Sequence, residues 1–425
     1  MQLQPSSLLT VTMNNYPIIH ALRHRLAHIP WKMVQAVLLA FILTRTMVFT
    51  VTYISMVELP VREGDIYWRA IPQNILADGL VRWDSGFYRD IIRGGYQSVS
   101  EGRATVFFPL YPALVWLLSR MIGHVYLSGL LISNLMFLVA LCYLYALVHQ
   151  EYDDDTAGRV VFYLAAAPAA FIFSAMYTES TFLALLTASF YYARNSRWAL
   201  AALTGAAASA TRSTGVVVAI FIILEGLWQQ GVRFRPVPWN IKAQIEILRK
   251  DVELALGAWP SALAAIGSVT GLVVYMVYLN RVFGDPLAFI HKQSYWGRQV
   301  TGNWLSTLFV NSYNRLNLSG DFWTGQINVN VLQDVIAIMV FIPLVIAVIL
   351  KMRPSFAMFT LISFLLPLAS SSVTSMRRYV LVLVPCYIIL AIWGRRLWVD
   401  RLILAISLPL QAYLAILFTH WYFAG

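Results

Sequence analysis

The sequence predicts an all-α polytopic membrane protein, and three observations predict it. Of its 425 residues 59% are hydrophobic and 12% charged, against roughly 25% charged in ordinary soluble domains. Its mean hydropathy is +0.66. Apolar runs recur at 33–57, 126–148, 159–177, 180–193, 197–211, 214–230, 258–281, 331–350, 355–372, 379–393 and 401–421. Several reach the roughly 20 residues that carry a helix across a bilayer. A helix satisfies its own backbone hydrogen bonds, which hydrocarbon cannot do for it.

The elements follow in order. Residues 1–32 are polar and basic, with Arg23, Arg25, Lys32 and three histidines, and read as a cytoplasmic segment. The run 33–57 is longer than the apolar core of a signal peptide, so it reads as a retained first span. Residues 33–425 then form a single transmembrane domain. The run 107–122 is ambiguous, because it is short and holds Pro109 and Pro112. If it crossed, Arg194, Arg197, Arg233, Arg235, Lys242, Arg249, Lys250, Lys351, Arg353, Arg395, Arg396 and Arg401 would all lie outside. If it rests on the outer face, all of them become cytoplasmic, which is what the positive-inside rule selects. That gives about eleven spans, with the N-terminus inside and the C-terminus outside. Segments 58–125, 177–180, 211–214, 282–330 and 371–379 then share the outer face, and 231–257 reads as an interfacial amphipathic segment.

Composition removes several function classes. The net charge of +11 is spread over span ends, and no basic face carries stacking aromatics, so nucleic acid is not an expected partner. Cys142 and Cys386 fall inside apolar runs and make neither a disulfide framework nor a CxxC site. There is no GxSxG, HExxH, Walker loop or GxGxxG. The triple aspartate at 153–155 precedes a span on the cytoplasmic side and reads as a solvated turn.

The outer face holds the chemistry. In RWDSGFYRD, Asp84 sits among Trp83, Phe87 and Tyr88. A carboxylate among rings at a membrane surface is partly desolvated, which pushes it toward general-base range. It could equally pair with Arg82, Arg89 or Arg93, or cap a short helix. Asp65 sits just after the first span. Glu179 opens a span in YTES and is either a helix-dipole partner or a second acid orienting an acceptor hydroxyl. Arg212 interrupts an apolar stretch, a functional hypothesis by default at membrane depth, and its planar donor fork suits a phosphate. Arg377 and Arg378 before Tyr379 form a second cationic spot, and His291, Trp296 and Arg298 a third. Cations hold phosphate and rings stack on sugar; each residue alone could instead be an interfacial anchor.

RWDSGFYRDIIRGGY (82–96), FFPLYP (107–112), YTESTF (177–182), ATRSTG (210–215) and RRYVLVLVP (377–385) occur in this order. The set resembles the phosphatidylinositol-glycan class V family, the GPI mannosyltransferase II group, in a prokaryotic-type form, over roughly residues 33–393. The resemblance implies a C-fold glycosyltransferase with juxtamembrane helices in a first outer loop, and it points to Asp84 as the essential acid with Glu179 as second carboxylate. The implied reaction is inverting transfer of mannose from a polyprenyl-phosphate or dolichyl-phosphate carrier to a glycan or glycolipid hydroxyl. Trp83, Tyr88, Tyr96, Tyr111, Arg212, His291, Trp296, Arg298, Arg377, Arg378 and Tyr379, with Asp65, are the expected substrate contacts. No cofactor is required by that chemistry, although Asp84 and Glu179 could hold a divalent metal. The expected location is the plasma membrane in a prokaryote or the endoplasmic reticulum in a eukaryote. Another carrier-linked sugar, or a lipid-linked-glycan flippase, are the competing readings.

Overall fold

The computed structural model describes residues 31–64, 67–233, 252–299, 302–316 and 327–424. Residues 1–30 of the segment expected to be cytoplasmic, Asp65, and most of the expected amphipathic segment (234–251) lie outside the described residues. Among the described residues the chain is helical throughout, with one isolated bridge between Gly64 and Tyr67.

Five helices are long and apolar enough to cross a bilayer: α1 (Trp31–Glu58), α2 (Val125–His149), α3 (Trp259–Phe283), α4 (Val329–Lys351) and α5 (Leu397–Thr419). Counting each of three bent pairs as one span raises the number to at most eight among the described residues, so the expected count of about eleven is not confirmed. Proline breaks account for part of the difference, and short helices for the rest. The run 159–177 breaks by 81° at Pro168, where Ala167 is forced to ψ 145°, as a residue before proline must be. The run 379–393 breaks by 78° just ahead of Pro385. The ambiguous segment is also bent: Ser100–Val106 meets Leu110–Ile122 at 96°, around Pro109. Other runs form apolar helices of 12 to 17 residues, too short to cross alone: Trp198–Ser209, Ser213–Gln229 and Pro354–Leu368.

Where α-helical bonding stops inside the bundle, side chains take over. Arg45 of α1 is 2% exposed and donates to the carbonyls of Ala165 (3.1 Å) and Ala170 (2.9 Å) and to Ser174 Oγ (3.1 Å). Gln411 of α5 donates to the carbonyls of Ala165 and Ala167, each at 2.9 Å. The carbonyls freed by the Pro168 break are thereby satisfied without water.

Charge gathers at two opposite ends. At one end Lys32 pairs with Asp154, Arg395 with Asp153, and Arg194 and Arg353 with buried Glu225. The triple aspartate is a helix start there, with Asp153 accepting from the Thr156 N–H (2.8 Å). The other end collects Asp84, Glu179, Arg212, Arg298 and Arg378.

Candidate functional site

A helix, Asp84–Gly94, floors the site. Ser85, Tyr88 and Ile91 recur on its buried face, and Gly95 at φ 72° lets the chain turn away. Its N-terminus is fixed from below. Asp78 and Arg82, both essentially unexposed, pair at 2.7 Å; Asp78 accepts from the Ala70 and Ile71 N–H groups, and Arg82 donates to the Thr419 carbonyl. Asp84 therefore does not pair with Arg82, Arg89 or Arg93. Its Oδ2 accepts from Arg378 Nη1 at 3.0 Å. Its other oxygen has no protein partner among the described residues, and the side chain is 19% exposed.

Glu179 is the hub beneath. Its Oε1 accepts from Arg212 Nη1 (2.5 Å) and from Arg378 Nε (2.9 Å) and Nη2 (2.6 Å). It is fully buried and does not line the cavity above it, so it braces two guanidinium groups from behind, away from the cavity. Arg298 completes the cationic side. It donates to Tyr379 Oη (2.6 Å) and to the Thr374 carbonyl (2.8 Å), and among the described residues no carboxylate pairs with it. Three guanidinium groups thus face two carboxylates, leaving one net positive charge. Burial, then the negative charges of Asp84 and Glu179, push the Tyr88 phenol up, so it stays protonated beside them.

These groups surround a cavity of about 720 Å³, within the usual range for a ligand site. Trp83, Asp84, Tyr88, Arg212, Trp296, Arg298, Arg378 and Tyr379 line it, as the sequence led us to expect. Besides Glu179, four expected residues do not. Arg377 points the other way, into an ion pair with Asp334 (3.2 Å), because neighbours on the short helix Met376–Tyr379 lie on different faces. His291 is 60% exposed and pairs with Asp285 (2.8 Å), whose carboxyl it holds below the usual range. Tyr111 is buried against Ser133 (3.0 Å). Tyr96 donates to the Phe107 carbonyl (2.7 Å) and lines a separate apolar cavity of about 490 Å³ with Trp116, Tyr275 and Tyr278.

The sequence reading missed several lining residues: Trp68, Arg89, Asp90, Thr178, Trp421 and Phe423. Asp90 was visible in the motif as RD; nothing local marked the C-terminal tail as part of the site. Among the described residues no cluster of three or more His, Cys, Asp or Glu is arranged to hold a metal. The Arg378 guanidinium bridges Asp84 and Glu179, so a divalent ion shared by these two carboxylates would have to displace it.

Residues 65–233 match the family model of Mannosyltransferase (PIG-V), which bears out the resemblance read from the motifs. That stretch holds Asp84, Glu179 and Arg212 but not Arg298 or Arg378. No curated protein matches the chain. The chain is similar to the apo crystal structure of the Archaeoglobus fulgidus oligosaccharyltransferase, at 13% identity and TM-score 0.46, over 92% of this chain and 56% of that one. It is likewise similar to AglB from the same archaeon in complex with an inhibitory peptide and a dolichol-phosphate, at 12% identity and TM-score 0.45, over 91% of this chain and 56% of that one. The chain thus spans little more than half the length of these structures.

Proposed function

We propose that this chain, whose residues 65–233 match the mannosyltransferase (PIG-V) family, is an inverting C-fold glycosyltransferase that takes mannose from a polyprenyl-phosphate carrier. The observation that carries the reading is a partly exposed carboxylate, paired with Arg378, lining the same cavity as the guanidinium groups of Arg212 and Arg298. The acceptor hydroxyl gives its proton to the unengaged oxygen of Asp84 as its oxygen attacks the anomeric carbon. The bond from that carbon to the carrier phosphate breaks, and its electron pair leaves on the phosphate. The leaving group is already anionic, so it needs charge stabilisation and no strong acid. Arg298, with no carboxylate partner, takes the largest share, and Arg212 and Arg378 supply the rest of the field. The neighbouring apolar cavity, lined by Tyr96, Trp116, Val274 and Tyr278, suits the first isoprene units of the carrier. A tail kept in the bilayer puts the headgroup at the interface, which explains a polar site at one end of an apolar bundle; we assign that end to the outer or lumenal face.

The test is transfer from carrier-linked mannose, with carrier-linked glucose and galactose in parallel, by the full chain in lipid. Asp84→Asn is expected to bind the carrier normally and to lose turnover by at least roughly 10²-fold, the low end for a general base. Arg298→Gln is expected to weaken carrier binding instead. Near-normal turnover by Asp84→Asn removes the base role; preference for glucose or galactose reassigns the donor. Vesicle translocation of the lipid without any transfer favours the flippase.

A further inference from the structure

The cavity has two chemically different sides, and Asp84 stands between them. Through Arg378 it meets the cationic group. Through Trp83, the residue before it, it meets an aromatic wall. The Trp421 ring lies 5.6 Å from Trp68 and 5.7 Å from Trp83, and Phe423 lies 5.6 Å from Trp83. All four rings line the cavity. Beside them Arg89 and Asp90 pair at 2.7 Å, so that side is neutral, and the Arg89 guanidinium sits 5.1 Å over Trp68.

Membrane anchoring does not account for this wall. Interfacial anchors turn their rings toward the headgroups, whereas Trp421 is 3% exposed at the centre of the cluster. Two of its members also hold backbones that bulky residues avoid: Trp83 at φ 52°, ψ −110°, and Trp421 at φ 64°. Such conformations persist where the surroundings enforce them, and they concentrate at ligand sites. The Trp83 indole N–H is buried without a partner among the described residues, a condition that native structures rarely leave unused.

We propose that this wall is the acceptor subsite and that it takes a pyranose ring of the acceptor glycan or glycolipid; the assignment rests on the glycosyltransferase reading above. A pyranose has an apolar C–H face that stacks on the negative face of an aromatic ring. Its rim hydroxyls suit the Asp90 carboxylate and the Arg89 guanidinium. Inversion requires the acceptor oxygen and the leaving phosphate on opposite faces of the anomeric carbon. The phosphate belongs with the guanidinium groups, so the acceptor belongs across from them, where Asp84 can still reach its proton. A phosphate would find no net charge at the wall.

The experiment uses the full chain in lipid nanodiscs, saturated with undecaprenyl phosphate. Mannobiose, maltose and lactose are titrated in turn by saturation-transfer NMR, and undecaprenyl phosphate itself is titrated separately. Trp421→Leu removes the buried ring that packs Trp68 and Trp83 into the wall and is expected to weaken disaccharide binding by about 10-fold. Trp83→Phe keeps a ring and removes the N–H, with an expected loss of about 3-fold or more, as for one hydrogen bond; it remains readable if Trp421→Leu does not fold. Both variants should bind undecaprenyl phosphate within about 2-fold of the parent, while Arg298→Gln does the reverse. Disaccharide binding that is absent in the parent, or unchanged in both folded variants, overturns the proposal. So does a parallel loss of undecaprenyl phosphate binding in the tryptophan variants. A parent that binds disaccharide at the wall but no undecaprenyl phosphate sinks the carrier-donor reading and leaves the wall standing as a sugar site.

Discussion

Replacing Glu179 by glutamine tests whether the site is held together from behind. The substitution keeps the shape and one acceptor but removes the charge that Arg212 and Arg378 share, at 2.5 Å and 2.6 Å. Two unit charges about 4 Å apart attract by about 4 kcal/mol at an effective dielectric of about 20. Two such pairs give about 8 kcal/mol, of which several are offset because a buried carboxylate no longer has to be desolvated. The net loss is about 3–5 kcal/mol, in line with removing one partner of a buried pair. Arg378 would then lean wholly on Asp84, the other carboxylate it touches. Displacing the guanidinium groups by about 1 Å is enough for a roughly 10²-fold loss of turnover. The assay is denaturant unfolding in mild detergent alongside transfer activity, with Asp84→Asn as the contrast. Asp84→Asn keeps an oxygen that can accept from Arg378 and should cost less stability than Glu179→Gln while abolishing most turnover. Glu179→Gln should lose both stability and turnover. A Glu179→Gln protein as stable and active as the parent would refute the bracing role.

Two further expectations concern the scaffold and its orientation. Arg45→Leu leaves the Ala170 carbonyl without its donor at the helix break and should cost about 1–3 kcal/mol per stranded acceptor, read as a lowered unfolding midpoint; Arg45→Lys should restore only part of it, because an ammonium cannot span two carbonyls as a fork does. Glu101→Cys and Arg197→Cys, both at exposed positions at opposite ends of the bundle, should differ toward a membrane-impermeant maleimide: the first labels on intact cells, the second only after permeabilisation. The reverse pattern would put the cavity on the cytoplasmic face and end the outer-face assignment.

Much of the site was legible because its chemistry runs against its surroundings. An aspartate between tryptophan and serine, or an arginine between two apolar helices, has few bland explanations in an apolar chain, and Asp84 and Arg212 do line the cavity. What a linear reading could not supply was direction. Arg377 and Arg378 are adjacent and identical, yet one serves Asp334 and the other Asp84, since a helical step of about 100° separates them. Glu179 looked like a reacting acid because its charge was visible and its complete burial was not. The count of about eleven spans is not confirmed for a related reason: apolar runs register composition, while helix length and breaks such as those at Pro168 and Pro385 decide which runs are straight spans. Trp421 and Phe423 escaped notice because aromatic residues at a chain's end are ordinary in sequence and reach the cavity only through tertiary folding.

Arg378 also sets the order of events during biogenesis. The two acidic side chains it bridges are translated some 200 to 300 residues before it. Until the ribosome has delivered that late arginine, Glu179 has at most Arg212 for company and Asp84 has none of its final neighbours in charge. A chain interrupted upstream of it would carry an unneutralised acidic pocket inside a greasy bundle, a fault that membrane quality control can sense. Premature products should therefore be short-lived, and catalytic competence should arrive abruptly, once Arg378 is in place.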